Sequence, residues 1–363
     1  MTGVTVIMPV KGEEGMTDLT LRSLRAHCGG LVGRVVVVDN SPDGATRRTL
    51  DALHWPAVER VEGAPGLTFS QACNRGAARA DRGSLLFLNN DVESRAPWLG
   101  PLRELHRRTG ALVSATLTYP DGRLQHAGEA MPVWGNPFIL GDRGNADEAR
   151  YAGVRRRWGA IAALLLIDRE VFDDVGGFDE GYRFGLEDAD LCMKGGQQGC
   201  PTLVKGMGGI VHHTSQTVAT LTTADRAASV AANNRRFAER WGAFIGERQQ
   251  EYCRRLRERG ITRVTLAGAG SAAATAARVL TSHGLKLAGY LDDTGAILPD
   301  DAPTAPVVGY GEAASLKGGA ILPASNALAA VEAKVAAAGL SPLLLDPELP
   351  GDGWTPGEER GLP

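Results

Sequence analysis

Cysteine is scarce and unpatterned in this chain. Cys28, Cys73, Cys192, Cys200 and Cys253 are scattered over 363 residues, odd in number and with no CxxC pair. That argues against a disulfide scaffold and points to reduced thiols in a cytoplasmic protein. A charge excess is missing too. The 39 basic and 42 acidic side chains leave a net charge of -3, so nothing suggests a nucleic-acid partner. Long apolar runs are absent: none approaches the ~20 residues a membrane helix needs. The longest candidate, Ile161 to Ile167, reads as a buried strand or helix turn. The first apolar run, in "MTGVTVIMPVKGEEG", is too short for a signal peptide and has no positive flank. No internal repeat is visible.

What is present is ordinary globular composition, 43% hydrophobic and 22% charged, with chain enough for two domains. "VTVIMPV", "GRVVVVDN" and "GSLLFLNND" read as strands. "DLTLRSLRAHC" and "FSQACNRGAARA" have helical spacing. Unbroken apolar runs such as "VVVV" and "LLFL" suit strands covered on both faces, as in parallel sheets. The alternation predicts an α/β, doubly wound start. From Leu112 to Gly159 the pattern weakens, with a hairpin-like turn in "YPDGRLQHAG" and a loop in "NPFILGDRGNADEA". A strand and a helix follow in "AIAALLLIDREVFDDVGG". A long helix is expected from Ala224 to Arg259. At Gly260 a second βαβ pattern starts and continues through "GAILPAS" and an Ala-rich helix to "PLLLDP". The expected division is therefore 1–259, 260–347 and a Pro-, Gly- and Glu-rich tail, 348–363, without structure.

Three polar clusters fall at strand ends or strand-to-helix turns: Asp39-Asn40, Asn89-Asn90-Asp91, and Glu187-Asp188 with Asp190. Each alone reads equally well as turn or cap chemistry. Together they suit the crevice beyond the carboxyl ends of an open parallel sheet. A hard divalent cation needs only one or two carboxylates when a substrate diphosphate supplies the rest. Asp91 with His212 or His213, from "VHHTS", fits that requirement. An imidazole ligand shifts preference toward Mn²⁺ over Mg²⁺. Glu187 and Asp188 are adjacent acids in a helix's first turn. They suit either a cap or a general base. The run Arg155-Arg156-Arg157 reads as a solvated charged face.

The segments "VTVIMPV", "VVVVDNSPDG", "ACNRGAARADRGSLLFLNNDV", "YPDGRLQHAG", "DREVFDDVGGFDEGYRFGLEDADLC" and "GIVHHTSQT", in that order, resemble family 2 glycosyltransferases. The similarity is to the bacterial cell-surface polysaccharide branch that includes rhamnosyl- and galactofuranosyltransferases. The resemblance covers about residues 1 to 240. It implies a GT-A fold, a Rossmann-like mixed sheet flanked by helices. It also implies metal-dependent, inverting transfer of a sugar from a dTDP-, UDP- or GDP-sugar to a hydroxyl of a glycan or lipid-linked acceptor. Asp39 then corresponds to the acid near the nucleotide base, with Pro9, Val10, Asn74, Gly76, Asn89 and Asn90 around the donor. Asp91 corresponds to the surviving acid of a D-x-D metal motif, and His212, or His213 in the alternate register, to a late metal ligand. Asp188, or else Glu187, corresponds to the base, and the arginines at 155 to 157 to charge near the phosphates. Lipid-linked acceptors imply peripheral contact at the inner face of a membrane.

The region from Gly260 resembles the small Rossmann-like α/β domains attached to sugar-modifying enzymes. Gly268, Gly270 and Ala273 form G-x-G-x-x-A after a strand, and Asp292 and Asp293 end the next one. That pattern suits NAD(H) or another nucleotide, or a domain without a ligand. Two further readings follow: a silent nucleotide-sugar-binding module, from the depleted D-x-D motif, and an NAD-linked enzyme, from Gly268. The sequence leaves the oligomeric state open.

Overall fold

The computed structural model of the chain describes residues 3–41, 44–64, 66–183, 185–214, 223–316, 319–325, 328–340 and 348–349. The chain divides into two compact units, Met1–Glu129 with Arg143–Glu239, and Ala130–Asp142 with Arg240–Pro363.

The first unit is built on an eight-stranded sheet. Its order is Gly153–Arg157, Thr202–Gly206, Leu112–Ala115, Leu164–Asp168, Ser84–Leu88, Val4–Val10, Val32–Asp39 and Val58–Glu62. The last four strands run parallel to one another. Leu164–Asp168 is antiparallel to Ser84–Leu88 and to Leu112–Ala115. The sheet is thus mixed, as expected. The apolar runs explain its centre: Val35 to Val38 and Leu85 to Phe87 are wholly buried. Alternate residues go to opposite layers. Val6, Met8, Val35 and Leu86 pack with helices Glu14–Cys28 and Leu99–Thr109 on one face, while Ile7, Val36, Leu85 and Phe87 pack with Phe69–Ala77 on the other. Each such valine contributes about 1.5–3 kcal/mol by leaving water.

A smaller four-stranded sheet, ordered Val92–Ser94, Ile210–His212, Leu117–Thr118 and Leu124–His126, covers the part of the sequence whose pattern was weak. The "YPDGRLQHAG" hairpin is there: Leu117–Thr118 pairs antiparallel with Leu124–His126. Very short strands carry too few alternations to be read from the sequence.

The second unit carries a four-stranded parallel sheet, Val307–Val308, Lys286–Leu291, Arg263–Ala267 and Ala320–Pro323, with helix Ser271–Ser282 after Arg263–Ala267. The βαβ restart at Gly260 is therefore real. The division differs from the expected Arg259 boundary. It falls inside helix Thr223–Glu258, whose C-terminal half buries Tyr252, Cys253 and Leu256 within the second unit. Gln249 Nε2 there donates to the Val133 carbonyl at 2.8 Å, tying residues 130–142 to that helix. Of the stretch 348–363, expected to lack structure, two residues are described. Glu348 forms an antiparallel bridge with Pro132, and Leu349 is wholly buried. The expected continuation "PLLLDP" lies outside the described residues.

All five cysteines are free thiols. Among the described residues no helix is long and apolar enough to cross a membrane.

Candidate functional site

The parallel strands deliver the first acid. Val10 and Asp39 stand side by side at the ends of their strands, and the Asn40 N–H donates to the Val10 carbonyl at 2.8 Å. Asp39 is 2% exposed. Its Oδ2 accepts from Arg60 Nε at 2.7 Å and its Oδ1 from the Ser41 N–H at 3.0 Å. Burial works against the charge. The Ser41 N–H and the Arg60 guanidinium outweigh it and hold the carboxyl below its usual range. Arg60, inside the strand "VERVE", was not singled out in the sequence. Its only signal was an ion-pairing side chain on the edge strand beside Asp39. Pro9 is half-buried next to Val10.

Strand Ser84–Leu88 delivers the second. Beyond it, Val92–Ser94 pairs antiparallel with Ile210–His212, which sets His212 opposite Val92. His212 therefore arrives beside Asp91 across more than a hundred residues. Its Nε2 lies 3.1 Å from Asp91 Oδ1, and both residues are nearly buried. His213 turns elsewhere: its Nε2 is 2.9 Å from Glu93 Oε2. Of the two histidines, His212 is the one beside Asp91. The other ring nitrogen, Nδ1, lies 2.7 Å from Gln125 Oε1, and Gln125 Nε2 donates to the His212 carbonyl at 3.3 Å. A carbonyl only accepts, so the amide orientation is forced and Nδ1 carries the hydrogen. The Nε2 lone pair then faces a carboxylate oxygen, two acceptors that a cation or a proton between them would reconcile. This donor set fits a divalent metal bound by one carboxylate and one imidazole plus phosphate oxygens. Among the described residues no three His, Cys, Asp or Glu side chains form a cage of their own.

The asparagines divide. Asn89 stays at this corner, its N–H bonded to the Ala163 carbonyl at 3.0 Å and its Nδ2 3.5 Å from His212 Nε2. Asn90 faces the first helix: its Nδ2 donates to Thr17 Oγ1 at 3.0 Å and its carbonyl accepts from Thr20 Oγ1 at 2.8 Å. Asn90 fastens the turn that carries Asp91.

The third cluster opens helix Glu187–Gln197. Asp188 Oδ1 accepts from the Ala189 N–H at 2.9 Å and Oδ2 from the Ala162 N–H at 3.3 Å. The segment before strand Leu164–Asp168 thus joins the corners: Ala162 holds Asp188 while Ala163 holds Asn89. A third acid lies close, and the sequence reading missed it. Glu129 is 7% exposed, and its Oε2 has no hydrogen-bond partner among the described residues. Its backbone pairs with Gly159, in the same segment. The signal was there: a lone acid in the small and apolar run "HAGEAMPVW". Burial, then the charges of Asp188 and Glu187, raise Glu129 well above the usual carboxyl range. Burial and then Asp188 push Glu187 up to about 8. Burial also raises Asp188, but backbone N–H groups on both oxygens favour its ionised form. Three carboxyls this close do not all ionise at neutral pH. Asp188 accepts backbone N–H groups on both oxygens, whereas Oε2 of Glu187 and of Glu129 has no hydrogen-bond partner among the described residues.

Two residues expected at the donor have packing roles. Asn74 Nδ2 donates to the Phe178 carbonyl and to Glu180 Oε1, both at 2.9 Å, and Asn74 Oδ1 accepts from the Phe178 N–H at 3.0 Å. Its amide anchors the "GGFDE" turn. A Cβ on Gly76 would meet Ile7 Cγ2 at 2.5 Å and Val38 Cγ2 at 3.0 Å, so glycine lets helix Phe69–Ala77 approach the sheet. The arginines at 155 to 157 lie on the outermost strand. Arg155 donates to the Arg150 and Ala149 carbonyls, and Arg157 Nε to the Ala127 carbonyl at 2.9 Å.

In the second unit, Gly268 (φ +127°) brings its strand end against the Ala324 carbonyl, 2.9 Å from where a Cβ would sit. Gly270 has open space around its Cα at the start of helix Ser271–Ser282. Asp292 Oδ1 accepts from the Thr294 N–H at 2.7 Å and the Thr294 hydroxyl at 2.6 Å. Asp293 Oδ1 accepts from the Tyr310 N–H at 3.0 Å.

The chain is similar to several known proteins. It is 32% identical over 235 residues to an uncharacterized protein, y4gI, of Sinorhizobium fredii (strain NBRC 101917 / NGR234), covering 58% of this chain and 24% of that one. It is 28% identical over 223 residues to the O-antigen biosynthesis protein RfbC of Myxococcus xanthus, covering 58% of this chain and 17% of that one. The matches thus span a quarter or less of these relatives' lengths. Among solved structures, GalNAc-T7 with UDP, GalNAc and Mn2+ aligns at a TM-score of 0.48 and 19% identity, over 59% of this chain and 44% of that one. The profile described as glycosyl transferase family 2 matches residues 5–173, a span that begins in the first strand and runs past Asp39, Asp91 and Glu129. Residues 5–173 of this chain are thus similar to glycosyl transferase family 2.

Proposed function

We propose that the first unit transfers a sugar from a nucleoside diphosphate sugar to a hydroxyl of a glycan or lipid-linked acceptor, with inversion at the anomeric carbon. The observation that carries this reading is the 162–163 backbone, which holds Asp188 on one side and the Asn89–Asp91 turn on the other. A base and a diphosphate-binding corner then share one segment, as a single displacement requires. The relationship to an O-antigen biosynthesis protein supports a surface polysaccharide as the product class.

Asp39, Pro9 and Val10 line the end of the sheet where the nucleoside binds. Asp91 and His212 would hold a divalent cation, Mn²⁺ or Mg²⁺, which when bound would neutralise charge on the departing diphosphate. Asp188 takes the acceptor's hydroxyl proton while that oxygen forms its bond to the anomeric carbon. The bond from that carbon to the diphosphate oxygen breaks, and its electron pair leaves with the nucleoside diphosphate. Attack from the face opposite the leaving group inverts the centre. Glu187 and Glu129, protonated, add no charge to repel the diphosphate.

The test is release of nucleoside diphosphate from a panel of UDP-, dTDP- and GDP-sugars with a glycan acceptor, with Mn²⁺ and with EDTA. The expected result is turnover of at least one donor, abolished by EDTA and restored by Mn²⁺. Binding of sugar nucleotides with no turnover under any combination would leave only a binding module.

A further inference from the structure

The hairpin strand Leu124–His126 sends consecutive side chains to opposite sides. His126 goes into the core, where Nδ1 lies 3.3 Å from the Ala115 carbonyl and Nε2 accepts from the Ile161 N–H at 3.2 Å. Burial pushes its pKa down to about 3, so it is a neutral structural histidine. Gln125 goes the other way, to His212. It is 4% exposed and grips that residue twice, at the ring through Oε1 and at the backbone through Nε2. Nothing about catalysis itself requires a buried amide there.

We propose that Gln125 is a positioning residue that locks His212 as the Nδ1–H tautomer and aims its Nε2 lone pair at a divalent cation shared with Asp91. The proposal rests on the metal reading above. Its physical content is the choice of an amide. A ring nitrogen left without an acceptor would let the hydrogen exchange to Nε2 and block the ligand position. A carboxylate at this place would hold the same tautomer and add a charge. The amide does the first without the second, so ligand geometry is fixed while the site's net charge is left to Asp91 and the diphosphate. Outer partners of this kind are worth about 10–100-fold in metal affinity.

Two measurements on the full chain test it. The first is ¹⁵N NMR of imidazole-labelled, metal-free protein at pH 8, with the His212 signals identified by their loss in His212→Gln. The wild type is expected to show a protonated Nδ1, and Gln125→Leu a mixed pattern or one with the hydrogen on Nε2 alone. The second is Mn²⁺ affinity by electron paramagnetic resonance with UDP, dTDP or GDP present. Gln125→Leu is expected to weaken it about 10–100-fold, while Gln125→Glu, which keeps an acceptor, restores the tautomer and much of the affinity. Should Gln125→Leu fail to fold, Gln125→Asn withdraws the same acceptor by one methylene. Wild-type tautomer and wild-type Mn²⁺ affinity in a folded Gln125→Leu or Gln125→Asn would overturn the proposal. A wild type that binds no Mn²⁺ with any of the three nucleotides overturns the metal reading, and the tautomer comparison then decides Gln125 alone.

Discussion

In the first unit, strands Val32–Asp39 and Ser84–Leu88 run out into acids held by side chains from distant segments: Asp39 by Arg60, and Asp91 beside His212. In the second, strand Lys286–Leu291 runs out into Asp292, whose Oδ1 collects Thr294 and Ala296 from its own turn. The same βαβ pattern therefore ends in two kinds of acid. One has, beside any contact within its own turn, a partner side chain that the local chain does not supply. The other shapes the loop it sits in. Orientation by distant partners is what a binding site needs, since it fixes an oxygen against a ligand before the ligand arrives. On that criterion the acids of the first unit, rather than Asp292, are the ones prepared for a ligand.

Removing the base should break the first unit's function most deeply. Asp188→Asn keeps the shape and one of the two backbone contacts, to Ala162 or to Ala189, but cannot take a proton. Transfer is expected to fall about 1000-fold, read as nucleoside diphosphate release, with donor affinity little changed. Full activity in this variant would move the base elsewhere. Asp91→Asn comes next. It retains an oxygen donor without charge, and the loss of metal-supplied stabilisation is expected to cost about 100-fold in rate. Raised Mn²⁺ should recover part of that loss; indifference to Mn²⁺ would detach Asp91 from the metal.

How far these contrasts could be read in the sequence depended on the length of the pattern. Apolar runs such as "VVVVD" and "LLFLNND" announce buried strands with polar ends, because burial on both faces leaves no other use for them. Asp91 and His212 stood out for the same reason, as polar residues abruptly ending or following such runs, and Asp188 as one of two adjacent acids opening a helix. Gln125 and Glu129 were not. Gln125 acts from a three-residue strand, and its partner is 87 residues away. Glu129 becomes notable only when folding sets it near Glu187 and Asp188. Asn74 and Gly76 were legible as special but not for what they do. A helix residue that caps a distant turn and one that admits a sheet look, in one dimension, like residues reserved for a ligand.

Glu129 allows the acid corner to be probed through stability. Unfolded, its carboxyl ionises in the ordinary range; folded, burial and the charges of Asp188 and Glu187 keep it protonated to much higher pH. The folded state thus binds more protons, and its stability falls as pH rises above the unfolded value. Glu187, raised to about 8, adds to the same slope. Glu129→Gln keeps the shape and cannot ionise. Its melting temperature should drop less than the wild type's between pH 5 and pH 8. Parallel pH profiles would mean that the carboxyl does not hold its proton in the fold.

The smallest effect should come from the second unit, and it tests the comparison from the other side. Asp292 Oδ1 accepts from the Thr294 N–H and hydroxyl and, at 3.4 Å, from the Ala296 N–H. Burial opposes the charge, but the Thr294 and Ala296 donors, with Lys334, hold the carboxyl below its usual range. Asp292→Ala removes a turn acceptor at a half-buried position, a loss of about 1 kcal/mol, with no change in sugar transfer. A depressed carboxyl stabilises the fold above its unfolded pKa and loses that contribution as pH falls through the folded value. The gap between wild type and variant should therefore be present at pH 7 and close in acid. If NAD(H) or another nucleotide raised the melting temperature of the wild type and not of Asp292→Ala, the acid would be serving a ligand as well as its turn. The contrast between the two kinds of strand end would then be one of degree.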